Sequence, residues 1–193
     1  MLLMSRHLTE YNIVPAGAVI RINLAWEPSL EKLEEHLDTL THHVFLDIPF
    51  GRKKPPCNTY TTEDILHICE GYDSIRYLGV SQVEEQEQLM TWIVKAPSKI
   101  NVVPKIESMQ GIKNIESICN VLRTPKTIML DHDDLFQDLC TQNTVAVPLI
   151  PGETYGHIDP SRMYEDWINP LISECDKMGV RVLRTAGVVF TER

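Results

Sequence analysis

The chain has 193 residues, 43% hydrophobic and 23% charged, with a formal net charge of −9. That length and composition suit one folded domain with a sizeable core and exclude a disordered segment. The negative balance argues against nucleic acid or a membrane surface as partner, since both need clustered cations, but leaves room for a small anion beside a bound metal ion.

In chain order, Met1 to Leu8 carries Arg6 and His7 after a few apolar residues, too short a run for a signal sequence. Ala18 to Leu24 predicts a strand, and Leu30, Leu33, Leu37 and Leu40 then recur at helical spacing. Val44 to Ile48 is a short apolar run, followed by a loop from Pro49 to Tyr60 that contains Arg52, Lys53 and Lys54. That basic loop reads first as solvated charge and second as a contact for an anionic substrate. Thr61 and Asp64 form a capping box that opens a helix ending at Gly71.

The alternation continues. Asp73 to Val80 predicts a strand, and Ser81 with Glu84 is read as the cap of a helix carrying Val83, Met90 and Ile93 on one face. Asn101 to Glu107 is the next strand, and Ile112, Ile115, Cys119 and Leu122 mark a helix. Thr127 to Leu130 predicts a strand, Gln142 to Pro160 mainly a loop. Asn169-Pro170 reads as an N-cap with proline at the first helical position, the helix ending at Gly179 before a last strand, Val180 to Thr185. About six strand–helix units emerge, and strands alternating with helices predict a parallel sheet covered by helices. Pattern alone fits an incomplete (β/α)8 barrel and an open doubly wound sheet equally well.

Five cysteines (Cys57, Cys69, Cys119, Cys140, Cys175) stand far apart with no C-x-x-C pair, which predicts reduced thiols in a cytoplasmic protein. No apolar run approaches the ~20 residues of a membrane span. His42, His43 and His67 show no metal-ligand spacing, and Trp26, Trp92 and Trp167 read as packing residues.

Two strand ends carry the chemistry. In Val103-Pro104-Lys105-Ile106-Glu107, strand alternation puts Lys105 and Glu107 on one side and Ile106 on the other. Opposite charges there suit the mouth of a barrel or an edge strand in solvent. Ile128-Met129-Leu130 runs into Asp131-His132-Asp133-Asp134, a second acidic strand end. Glu107 and Asp134 could supply two oxygen ligands to Mg²⁺ or Mn²⁺, whereas Asp131 and Asp133 read better as acids at a helix N-terminus.

The run Lys105-Ile106-Glu107-Ser108-x-x-Gly111-x-x-Asn114-Ile115, then Ile128-Met129 and Asp134-Leu135, resembles the K-I-E-N-x-x-G-x-x-N and I-M-V-A-R-G-D-L motifs of pyruvate kinases. Arg21-Ile22-Asn23, Phe45-Leu46-Asp47 and Val182-Leu183-Arg184-Thr185 resemble further strand ends of that family, in the same order. The resemblance implies a single barrel domain over 1–193, with 49–60 a short loop in place of the family's lid domain. It also implies that the first and eighth barrel strands are missing, so that either the barrel is open or a second copy or another protein covers its edges.

The resemblance assigns roles as well. Glu107 and Asp134 would bind the metal, Lys105 would neutralise charge on a phosphoryl group or enolate, and Arg21 would contact phosphate. Thr185 would lie near the carbon that is protonated, and Asn23 and Asp47 would help to bind K⁺. The implied activity is metal-dependent chemistry on phosphoenolpyruvate, pyruvate or a related keto acid through a metal-stabilised enolate, as phosphoryl transfer or as a lyase or aldolase reaction. Three departures matter: Ala25 removes a hydroxyl expected on K⁺, making that ion doubtful, Asp133 replaces a glycine, and Ala186 replaces a glutamine. A non-catalytic binding or assembly protein retaining the barrel is the alternative.

Overall fold

The computed structural model describes residues 3–5, 14–49, 55–56, 59–144 and 160–184. Among these residues, seven parallel strands form one sheet in sequence order. They are β1 (Leu3–Ser5), β2 (Val19–Asn23), β3 (His43–Ile48), β4 (Ile75–Val80), β5 (Asn101–Ile106), β6 (Thr127–Leu130) and β7 (Arg181–Arg184). Every neighbouring pair is parallel, and the connections from β2 onward carry helices, so the sheet curls into an incomplete barrel rather than doubling back as an open doubly wound sheet would. The expected count of about six strands becomes seven. The short apolar run at the start pairs Leu3 with Val19 and Ser5 with Arg21, so a strand precedes β2 where the resemblance implied none.

Among the described residues, seven α-helices accompany the strands: α1 (Leu30–Thr39), α2 (Thr62–Gly71), α3 (Glu87–Lys95), α4 (Met109–Lys113), α5 (Ile115–Asn120), α6 (His132–Thr144) and α7 (Pro160–Lys177). Ser29 Oγ caps α1 by accepting from Lys32 N, and Leu33 and Leu37 face the sheet. The capping box of α2 is complete: Thr61 Oγ1 accepts from Asp64 N, and Asp64 Oδ2 accepts from Thr61 N. No helix among the described residues is long and apolar enough to cross a membrane.

Three local expectations are corrected. Ser81 and Glu84 do not cap a helix; α3 begins only at Glu87, and the residues before it form a loop bonded to β5 and α4. The helix expected over 112–122 is two short helices with a turn at Asn114. Asn169-Pro170 does not start a helix, because α7 runs through Pro170. Proline leaves the carbonyl of Asp166 without its intrahelical donor, and both residues are exposed, so water can satisfy it. Residues 145–159, most of the expected loop from Gln142 to Pro160, fall outside the described residues, as do Arg52, Lys53 and Lys54.

Strand alternation divides the sheet into two faces. Ile20, Ile22, Val44, Leu46, Ile48, Val102, Ile106, Ile128 and Leu130 point outward and pack under the helices in the main core. Val19, Phe45, Val103 and Met129 form a second cluster on the concave face, with Leu3, Tyr77 and Leu183 packed against it. The Phe45 and Tyr77 rings stack there with centroids 6.2 Å apart. Of the tryptophans, Trp92 is buried as expected, whereas Trp26 is 50% exposed at the end of β2.

Candidate metal and anion site

Above the apolar cluster, toward the C-terminal ends of the strands, the concave face changes character. Register pairs Arg21 with Phe45, Asn23 with Asp47, Asp47 with Gly79, and Lys105 with Met129. The polar residues therefore occupy the last inward positions of β2, β3 and β5. Extending the register of β5 and β6 by one residue sets Glu107 opposite Asp131, and Asp131 N donates to Ile106 O at 3.3 Å. This is the end of a parallel barrel at which binding sites form.

Lys105 is the hub. It is 5% exposed, and its Nζ lies 2.8 Å from Glu107 Oε1, 3.6 Å from Asp47 Oδ2 and 3.7 Å from Asp131 Oδ2. It also donates to Ser81 Oγ at 3.1 Å. Burial disfavours the ammonium, yet the carboxylates of Asp47 and Glu107 outweigh it and hold the Lys105 pKa above its ordinary value. Lys105 therefore stays a cation at neutral pH.

Glu107, 8% exposed, is held at both oxygens. Oε1 faces Lys105 Nζ, and Oε2 accepts from Gln82 N at 2.7 Å. Burial pushes its pKa up, against the lowering effect of Lys105, and nearby Asp131 pushes the same way. A carboxylate that is costly to keep charged in this position is one that added positive charge would stabilise.

Asp134 stands in the first turn of α6, and Asp131 just precedes that helix. One carboxylate oxygen each from Glu107, Asp131 and Asp134 lies within 4.8 Å of the others. The donor set fits Mg²⁺ or Mn²⁺, which take hard oxygen ligands and keep positions open for water or substrate. The structure thus brings Glu107 and Asp134 together and adds Asp131. Asp131 stands at the N-terminus of α6 as expected, and strand alternation also turns it toward the site, since it is in phase with Met129, an inward residue.

Arg21 and Asn23 both make bonds within the fold. Arg21 Nε donates to Asp47 Oδ2 at 2.9 Å, and its Nη2 bonds the same oxygen, so its guanidinium is committed to a buried carboxylate within the fold. Asn23 Oδ1 accepts from Ala25 N at 3.0 Å and caps the short turn Leu24–Trp26. Asp47 is 1% exposed, and its Oδ1 is buried with no hydrogen-bond partner among the described residues. Gly79 leaves that space open, since a Cβ there would come 3.5 Å from Asp47 Oδ1 and within 2.7 Å of Phe45 Cζ. Thr185 lies outside the described residues.

Beside the acidic cluster, Arg184 Nε donates to His132 Nε2 at 3.2 Å, and His132 Nδ1 bonds the Tyr164 hydroxyl. Burial and then Arg184 hold the His132 pKa below its usual value, and burial lifts that of Tyr164 to about 12. Sequence reading missed this trio because its members come from three distant segments.

No family model matches the sequence, and no curated protein matches it. Among solved structures, RipC from Yersinia pestis is similar with a TM-score of 0.58 and 17% identity, over 95% of this chain and 73% of that one. A pyruvate kinase from Cryptosporidium parvum gives a TM-score of 0.46 and 19% identity, over 68% of this chain and 25% of that one. The likeness to the pyruvate kinase is distant, and this chain spans a quarter of that enzyme's length. What the chain shares with RipC is the α/β fold.

Proposed function

We propose that the chain binds Mg²⁺ or Mn²⁺ through Glu107 and Asp134, with Asp131 as a third carboxylate, and holds a small anionic keto acid or phosphorylated acid beside it. The observation that carries this reading is the convergence of three carboxylate oxygens within 4.8 Å at the mouth of the sheet, beside a buried ammonium. A bound divalent cation would act as a Lewis acid, easing negative charge onto a substrate oxygen. Lys105 would neutralise charge on the substrate's far side, since it is already cationic and aimed at the same carboxylates. The substrate class is phosphoenolpyruvate, pyruvate or a related keto acid, and the reaction is metal-dependent enolate chemistry: phosphoryl transfer, or a lyase or aldolase step. Thr185 would serve near the carbon that gains a proton. A second copy of the chain, or another protein, would cover the outer edges of β1 and β7.

One observation favours a second reading, a non-catalytic binding or assembly protein. Arg21, the residue expected on phosphate, is turned to Asp47 instead. The two readings divide on Mn²⁺ titration, followed by electron paramagnetic resonance, of the wild type, Glu107→Gln and Asp134→Asn. The enzyme reading expects saturable binding by the wild type, a loss of at least about tenfold in each variant, and tighter Mn²⁺ binding when oxalate, a planar enolate mimic, is present. Equal and negligible binding by all three proteins would end it.

A further inference from the structure

The loop between β4 and α3, residues 81–86, makes an unusual commitment. Gln82 has φ of 53°, the left-handed region that residues with a side chain seldom occupy. In that conformation its N–H points at Glu107 Oε2, 2.7 Å away. The next residue returns to the sheet, with Val83 N donating to Lys105 O at 3.2 Å. An unfavourable backbone conformation persists only where its surroundings over-determine it.

Gln88, in the first turn of α3, supplies much of that determination. Its Oε1 accepts from Glu84 N at 2.7 Å and Glu85 N at 2.9 Å, and its Nε2 donates to Gln82 O at 3.1 Å. One side-chain amide thus binds three backbone groups of the loop, using its acceptor and its donor in opposite directions. On the far side, Asn114 Nδ2 donates to Glu84 O at 2.8 Å and Ser108 Oγ to Glu84 Oε1 at 2.7 Å. Gly111 lets α4 press close, since a Cβ there would come 2.7 Å from Val83 O.

We infer that Gln88 is a positioning residue for Glu107: by gripping the loop it fixes Gln82 N–H on Oε2 and so sets the orientation of the carboxylate from outside the charge network. Its consequence for cation affinity rests on the metal reading proposed above. With Lys105 on Oε1 and Gln82 on Oε2, the carboxyl group cannot rotate without losing a charge-assisted bond. Each oxygen keeps a further lone pair for an ion. Partners that orient a metal ligand in this way typically govern affinity by about 10–100-fold.

The test compares wild type, Gln88→Ala, Gln88→Glu and Thr91→Ala, an exposed change on the same helix. In ¹⁵N-labelled protein without metal, the Gln82 amide proton is expected downfield and slow to exchange, because it donates to a carboxylate. Gln88→Ala should move it upfield and speed its exchange. Gln88→Glu keeps the acceptor but lacks the donor to Gln82 O, so it should fall between, and Thr91→Ala should match wild type. Mn²⁺ affinity should follow the same order, falling about tenfold in Gln88→Ala. A Gln82 amide unmoved in Gln88→Ala overturns the inference, as does a moved amide with unchanged Mn²⁺ affinity. A wild type that binds no Mn²⁺ overturns the metal reading instead, and the amide then decides by itself whether Gln88 holds Glu107.

Discussion

The base and the mouth of the concave face are built by the same strands, one step apart in the alternation, and they follow different rules. At the base, Val19, Phe45, Val103 and Met129 pack as a small core, and the stacking of Phe45 on Tyr77 needs no further explanation than burial. At the mouth, Asp47, Lys105 and Glu107 are buried and Arg21 is partly buried, and all four carry charge. Replacing a buried ion network with apolar residues of similar volume is commonly neutral or stabilising, so stability alone gives no reason for these residues at this end. The difference teaches where function sits: the base closes the barrel, and the mouth spends stability on a site.

The comparison breaks most sharply at Lys105. Lys105→Met should cost about 3–5 kcal/mol, because it strands Glu107 as a buried carboxylate without its cation and leaves Asp47 with Arg21 alone. The loss should shrink on acidification. With its pKa already raised by burial, Glu107 binds protons in the folded state more readily than in the unfolded chain, so this group's contribution falls as pH rises and recovers as pH falls. Chemical denaturation of wild type and variant across pH 5 to about 8 checks both magnitude and sign. A gap that widens toward acid would show the network to be other than described.

A smaller effect probes the seam between the two regions. Gly79 lies where base meets mouth, and an added methyl would strike Phe45 Cε1 and Cζ. Gly79→Ala should therefore cost about 1–3 kcal/mol through overpacking, and should shift the Asp47 side of the network more than Glu107. Thermal unfolding measures the first, and the chemical shifts of the Asp47 and Glu107 carboxyl carbons measure the second. Equal movement of both carboxyl groups would mean that the seam does not exist.

Most of the frame was legible in the sequence. Alternation of apolar runs with helical spacing gave six of the seven strands, and the Thr61–Asp64 box gave the start of α2, because both signals are local. The seventh strand, Leu3–Ser5, escaped because three residues carry no period of their own and are strands only by pairing with β2. Ser81 failed as a cap for the same kind of reason. Its hydroxyl is taken by Lys105, 24 residues away in sequence, and tertiary demand overrides a helix-start signal there. In the site, Lys105 and Glu107 could be read from strand alternation and Asp131 as an acid at the start of a helix, whereas the convergence of Asp131 on Glu107 went unread and Gln88 was invisible. A glutamine in a helix announces nothing until the loop it grips is in place.

The central claim is that one cation fits between the carboxylates of β5 and the start of α6. Anomalous diffraction from a crystal soaked in Mn²⁺ and oxalate tests it most directly. The account predicts a single peak about 2.1–2.3 Å from carboxylate oxygens of Glu107 and Asp134, with Asp131 as a direct or water-bridged ligand and oxalate on the side facing Lys105. A peak elsewhere on the chain, or none at this mouth, would contradict it.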